Sequence, residues 1–85
     1  MPVYLDHHAP PKGLGAEQVK QMQAGIKASM KDKNGVRGIN GFWNNNEAWC
    51  LVEAPNAQAV HKYHEEVFKI NLGAGEVKEV QALMT

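Results

Sequence analysis

The chain has 85 residues, of which 44% are hydrophobic and 21% charged, and its nine basic residues balance nine acidic ones. This length suits one domain, residues 1–85, with a small core, because short chains bury a smaller share of their surface. A net charge of zero without a basic cluster excludes general attraction to nucleic acid or to an anionic membrane. The single cysteine, Cys50, cannot form an internal disulfide, and neither a signal peptide nor a membrane span is evident. We therefore expect a soluble cytoplasmic protein.

Six elements are predicted along the chain: a strand over 3–8, a helix over 16–31, strands over 36–43 and 48–54, a helix over 57–69 and a strand over 77–83. Met22, Ile26 and Met30 form an apolar stripe on the first helix, and Asn56 caps the second. The turn at 44–46 joins the two middle strands into a hairpin. This order predicts an α+β, ferredoxin-like βαββαβ plait, a four-stranded antiparallel sheet with two helices on one face.

The third strand is apolar on both sides. Cys50 and Val52 point one way, whereas Trp49 and Leu51 point the other, and two helices cover only one face of a sheet. The simplest cover for the second face is another copy of the same sheet, which predicts a sheet-to-sheet homodimer. A solitary surface tryptophan is the alternative, because single exposed apolar residues are common.

Histidines are the main candidates for chemistry. His7 and His8 are adjacent on a strand, so their rings point to opposite faces and do not readily chelate one ion together. His61 and His64 lie three apart on a helix and share a face. The alternatives are a buried His64 satisfied by a backbone carbonyl and a solvent-exposed His61.

Cys50 adds a sulfur donor to these imidazoles. Together with Asp6 or Glu53 nearby, imidazole and thiolate groups form a set that suits nickel, copper, zinc or cobalt. The alternatives are a cysteine that packs as a small hydrophobe and a Cys–His dyad, which needs a lowered thiol pKa. The lone Ser29 lacks the context of a hydrolase nucleophile, and we predict no catalytic residue and no organic cofactor site.

One stretch resembles the signature of a known family. The sequence Cys50-Leu51-Val52-Glu53-Ala54-Pro55, followed by Ala59, Val60 and His64 and preceded by His7-His8, is similar to that of small bacterial ferredoxin-like, nickel-responsive proteins. The resemblance spans nearly the whole chain. His61 is not part of the family pattern, and residues 22–25, Met-Gln-Ala-Gly, lack the histidine or acid that such proteins often carry there.

The resemblance implies a homodimer that binds nickel, or another first-row transition metal, for storage, buffering or sensing. The metal residues that it implies are His7, His8, Cys50, Glu53 and His64. The bound histidines would each donate their second ring N–H to a carboxylate, which gives Asp6 or Glu53 a supporting role.

A second interpretation is a dimeric α+β-barrel enzyme, either an isomerase or a cofactor-free oxygenase. Its apolar pocket would lie at the sheet interface, with His8 or His64 as general base. The residues expected to line it are Tyr4, Phe42, Trp43 and Trp49.

Overall fold

The computed structural model describes residues 2–10, 15–73 and 75–81 of the chain. Within these ranges the elements are β1 (Val3–His8), α1 (Ala16–Lys27), β2 (Arg37–Trp43), β3 (Ala48–Glu53), α2 (Ala57–Tyr63), a π-helical turn (His64–Phe68) and β4 (Val77–Val80). The predicted element order is confirmed. The predicted end of the last strand at Leu83 lies outside the described residues.

The four strands form one antiparallel sheet in the order β2-β3-β1-β4, which is the ferredoxin-like arrangement. In the β1–β3 register Tyr4 pairs with Val52, Asp6 with Cys50 and His8 with Ala48. Since side chains alternate along a strand, these six residues share one face of the sheet. That face receives both helices.

The hydrophobic core lies between this face and α2. It comprises Tyr4, Val36, Val52, Ala54, Ala59, Val60 and Leu72. The opposite face carries Leu5 across from Leu51 and His7 across from Trp49. The predicted apolar character of both faces of β3 is therefore present in the structure.

Helix α1 ends at Lys27, four residues before its predicted end. Ser29 adopts a left-handed conformation with φ 53°. Its N–H donates to the carbonyl of Ile26 at 3.0 Å, and the N–H of Met30 donates to the carbonyl of Gly25 at 3.1 Å. These two bonds form a Schellman motif, in which glycine usually occupies the left-handed position. Because serine is unusual in that position, the sequence did not indicate that the helix ends there.

A glycine in the sheet, and not one in α1, allows the helix to approach the sheet closely. A Cβ atom added at Gly38 would lie 3.3 Å from Cγ1 of Ile26, whereas one added at Gly25 meets nothing within 4 Å. The close approach of α1 to the sheet therefore depends on Gly38 and not on Gly25. A bulge between Gly38 and Asn40 then returns Gly41 to the helix-covered face, opposite Cys50.

Helix α2 is capped as predicted, because the Asn56 side chain accepts a hydrogen bond from the N–H of Ala59 at 2.9 Å. The helix does not continue regularly to Lys69. It widens into the π-helical turn at His64. Lys69 ends this turn in a left-handed conformation, and its N–H donates a hydrogen bond to the His64 carbonyl. None of the described helices is long and apolar enough to cross a bilayer.

Candidate metal centre

Four potential metal ligands converge between the sheet and the end of α2. Asp6, His8, Cys50 and His64 each offer one donor atom, and these atoms lie within 4.8 Å of one another. Asp6 and His8 are two residues apart on β1, Cys50 is the cross-strand partner of Asp6, and His64 begins the π-helical turn above them. Asp6 and His64 are fully buried. The sheet thus supplies three donors and the helical layer supplies the fourth.

Asp6 is the electrostatic centre of this cluster. Its Oδ1 accepts a hydrogen bond from Nδ1 of His8 at 2.9 Å and lies 3.2 Å from Nε2 of His64. Burial alone would raise the pKa of Asp6, but the two neighbouring imidazoles outweigh burial and hold the pKa below its ordinary value. Asp6 is therefore an anion within the protein interior at neutral pH.

The orientation of His64 leaves one ring nitrogen free. Its Nδ1 lies 2.9 Å from the carbonyl oxygen of Val60, and a carbonyl only accepts, so Nδ1 carries the proton. In a neutral ring Nε2 then presents a lone pair toward Asp6. Among the described residues, neither His64 Nε2 nor Asp6 Oδ2 has an aligned hydrogen-bond partner. When the His64 ring is neutral, both atoms are buried acceptors with which no donor of the described residues is aligned.

Cys50 contributes a thiol whose proton is strongly held. Burial, and after it the negative charge of Asp6, raise the pKa of this thiol to about 12. A raised thiol pKa is the opposite of what a nucleophilic Cys–His dyad needs. It does not prevent metal binding, because a coordinated metal ion removes the thiol proton outright.

Aromatic rings surround the buried imidazole. His8 packs edge-on against His64 with 5.0 Å between ring centroids, and Tyr63 does so at 5.3 Å. The Phe68 ring is tilted against that of His64, with 5.6 Å between ring centroids. These contacts hold the His64 ring in one orientation, so its free nitrogen is positioned before any ligand arrives.

His7, which the resemblance also implies as a ligand, lies on the opposite face of the sheet. Its Nδ1 is 2.7 Å from Glu76 Oε2, and its Nε2 is 3.0 Å from Glu47 Oε2. The ring also lies against Trp49, with 5.4 Å between centroids. These two carboxylate hydrogen bonds raise the pKa of His7 above its ordinary value.

Glu53 also lies apart from the cluster. It forms an ion pair with its cross-strand partner Arg37, with 3.3 Å between Oε2 and Nη2. The Arg37 guanidinium lowers the pKa of Glu53 below its ordinary value. The four-residue cluster does not include His61. Of the five residues that the resemblance implies, the structure brings His8, Cys50 and His64 together.

From the sequence, Asp6 was named as an alternative to Glu53, either beside the imidazole and thiolate donors or as a supporting carboxylate. The pattern Asp6-His7-His8 nevertheless contains a usable signal, because residues two apart on a strand share a face. Once Cys50 is placed in the central strand, the antiparallel register brings Asp6 directly opposite it. The sequence alone did not give that register.

Fold and site together define a small α+β plait in which Asp6, His8, Cys50 and His64 form a cluster of potential metal ligands. The family model described as nickel responsive protein SCO4226-like matches residues 4–80, and the chain belongs to this family. The chain is similar to the crystal structure of SCO4226 from Streptomyces coelicolor A3(2), with 27% identity and a TM-score of 0.63. That alignment covers 94% of this chain and 96% of the other. No curated protein matches significantly. The predicted family and fold class are confirmed.

Proposed function

We propose that Asp6, His8, Cys50 and His64 bind a nickel ion, for storage, buffering or sensing of the metal. One observation carries the proposal: the buried atoms His64 Nε2 and Asp6 Oδ2 have no aligned partner among the described residues. A buried polar atom left without a partner costs roughly 1–3 kcal/mol. A cation between these atoms removes that cost for both at once.

The donor types support a transition metal of borderline softness. Two imidazoles, a thiolate and one carboxylate suit nickel, copper, zinc or cobalt, whereas magnesium and calcium prefer sites built from oxygen atoms. The name of the family selects nickel from this group. The Nδ1–H of His64 on the Val60 carbonyl also matches the way metal-bound histidines are usually oriented.

The proposed role requires no catalytic step. A thiol with a pKa of about 12 is a poor nucleophile at neutral pH, so the alternative of a Cys–His enzyme gains no support from Cys50. Binding, followed by release or by a change in the protein's interactions, is sufficient for storage, buffering or sensing.

His7 and Glu53 take other roles in this proposal. Both already have charged partners, Glu47 and Glu76 for His7 and Arg37 for Glu53. His7 lies on the face of the sheet opposite to Asp6 and His8. We therefore expect His7→Gln to leave nickel affinity unchanged.

Calorimetric titration of Ni²⁺ into metal-stripped, tag-free protein tests the proposal. We expect one ion per chain with saturable sub-micromolar affinity. Asp6→Asn and Cys50→Ser keep the shape of each side chain but replace its anionic donor by a weak neutral one, so each weakens binding by at least the roughly 10- to 100-fold typical of supporting residues. His61→Gln is the matched control, a histidine of α2 outside the cluster.

Circular dichroism establishes that each variant is folded before the titration. Wild-type affinity in both folded variants, Asp6→Asn and Cys50→Ser, would refute this assignment of the site. Weak millimolar binding by the wild-type protein would refute nickel binding as the function.

We also propose that two chains pack sheet to sheet as a homodimer. The face of the sheet away from the helices carries Leu5 opposite Leu51, next to the pair of His7 and Trp49. Covering such a face removes apolar surface from water. Sedimentation velocity is expected to give a dimer for the wild type and a folded monomer for Leu51→Arg. Gln58→Arg, on the exposed side of α2, is the control and should remain dimeric.

A further inference from the structure

A cavity of about 130 Å³ lies beneath α1, beside the candidate metal centre. His8 and Cys50 form part of its wall, so a metal ion held by them would be reached from this side. The rest of the wall is mainly apolar and includes Val19 of α1, Phe42 of β2 and Phe68 of the π-helical turn. The cavity therefore combines an apolar body with two metal-binding groups.

The size and charge of the cavity restrict what it can hold. An engineered protein cavity of about 150 Å³ binds benzene, so a single five- or six-membered ring fits this volume. Among the described residues that line it, none is Asp, Glu, Lys or Arg. A charged group held among the apolar side chains, away from the metal-binding wall, would lose its hydration without gaining a charged partner. A neutral ring is the favoured occupant.

The cavity adjoins a wider groove under the same helix. The groove shares Met22, Ile26 and Phe68 with the cavity. Helix α1 has no buried residue of its own, so it covers this space without filling it. A small ring can reach the wall formed by Cys50 without unfolding the core, which lies on the α2 side.

We propose that this cavity binds a small neutral aromatic ring with a nitrogen donor, of the size of imidazole or pyridine. The ring would lie among the apolar side chains, and its nitrogen would point to the metal held by His8 and Cys50. Four protein donors leave coordination positions free on ions such as nickel or cobalt, and both accept aromatic nitrogen. This inference rests on the proposed metal binding, and it gives the site a second, organic ligand.

The test compares pyridine with benzene, which has the same shape but no donor atom. The metal is first titrated alone, by calorimetry and by the absorption bands of the Co²⁺ form. Pyridine and benzene are then added to the metal-loaded and metal-free proteins, and backbone NMR shifts in α1 are followed. We expect the metal-loaded protein to bind pyridine at least about tenfold more tightly than benzene. The metal-free protein should bind the two compounds with about equal affinity.

Val19→Phe fills the cavity from α1 and replaces none of the four proposed metal donors. It should leave metal affinity unchanged and weaken pyridine binding at least about tenfold. Lys20→Phe is the matched control, since Lys20 is exposed on the same helix and lines neither space.

Two results would overturn the inference while leaving metal binding intact. One is a normal metal titration with no response to pyridine, and the other is an equal pyridine response in Val19→Phe and wild type. If the first titration, with metal alone, shows no binding, the proposed function is overturned and the inference with it.

Discussion

Nε2 of His64 lies 3.2 Å from Oδ1 of Asp6, and both side chains are completely buried. The Val60 carbonyl fixes the proton of a neutral His64 on Nδ1, so two lone-pair atoms face each other in a low-dielectric interior. Either an extra proton on the imidazole or a metal ion must separate them. A proton leaves Asp6 Oδ2 without a partner, whereas a metal ion engages both residues. This pair links the stability of the fold to the occupancy of the site.

Nickel is therefore expected to stabilise the folded protein. A ligand that binds only the folded state adds about 2.7 kcal/mol to the free energy of unfolding when its free concentration is 100 times Kd. Thermal unfolding followed by circular dichroism should show a higher Tm with Ni²⁺, reversed by a chelator. Asp6→Asn should show no such increase. An unchanged wild-type Tm at saturating nickel would contradict the link between site and fold.

Metal binding is expected to release a proton from Cys50. The pKa of the thiol is raised to about 12, so the group is protonated at pH 7.5 and must lose its proton to become a ligand. Calorimetry in buffers of different ionisation enthalpy measures this release. Cys50→Ser should release about one proton fewer per ion than wild type. Equal proton release from the two proteins would mean that Cys50 does not coordinate the metal.

The charge network around His7 predicts a pH dependence of stability. Carboxylates of Glu76 and Glu47 raise the pKa of His7 in the folded state. A raised folded-state pKa stabilises the protein fully below the unfolded pKa, about 6.5, and this stabilisation is lost as pH rises through the folded value. The stability difference between wild type and His7→Gln, measured by urea unfolding, should thus be larger at acidic than at alkaline pH.

NMR titration of the His7 ring provides the direct measurement. Its pKa should lie above that of a free histidine and fall in Glu76→Gln, because the shorter of its two carboxylate contacts is then lost. A stability difference that is independent of pH would show that the two carboxylates do not act through the charge of His7.

The sequence predicted the architecture because its signals are local. Alternation in β1 and β3, the Asn56 cap and the hairpin turn each act over a few residues, and together they fixed the element order. The end of α1 was wrong by four residues because Ser29 occupies the left-handed position that glycine normally marks. The π-helical turn at His64 likewise has no sequence signal of its own.

The site was harder to predict because it depends on register and on distant contacts. His8, Cys50 and His64 were found through residue type and family resemblance. Placing Asp6 at the centre required the pairing of β1 with β3, which brings together residues 44 positions apart. His7 is hydrogen-bonded to carboxylates at positions 47 and 76, which are far from it in the sequence. No short sequence pattern predicts these contacts.

Two glycines are expected to respond in opposite directions to the same substitution. At Gly25 an alanine side chain meets nothing within 4 Å, and alanine favours the interior of a helix over glycine by roughly 0.5–1 kcal/mol. Gly25→Ala should therefore stabilise the protein by about that amount. Its exposed neighbour Ala24→Gly is the reverse control and should destabilise it similarly.

At Gly38 the added Cβ would lie 3.3 Å from Cγ1 of Ile26, so the Ile26 side chain must move by a few tenths of an ångström in a packed contact between α1 and the sheet. Overpacking of this kind costs typically about 1–3 kcal/mol, and Gly38→Ala should lower the free energy of urea unfolding accordingly. Ile26→Ala in the same chain removes the contact, so adding Gly38→Ala to it should cost less than in wild type. An equal cost in both backgrounds would mean that the close approach of α1 is not what requires glycine there.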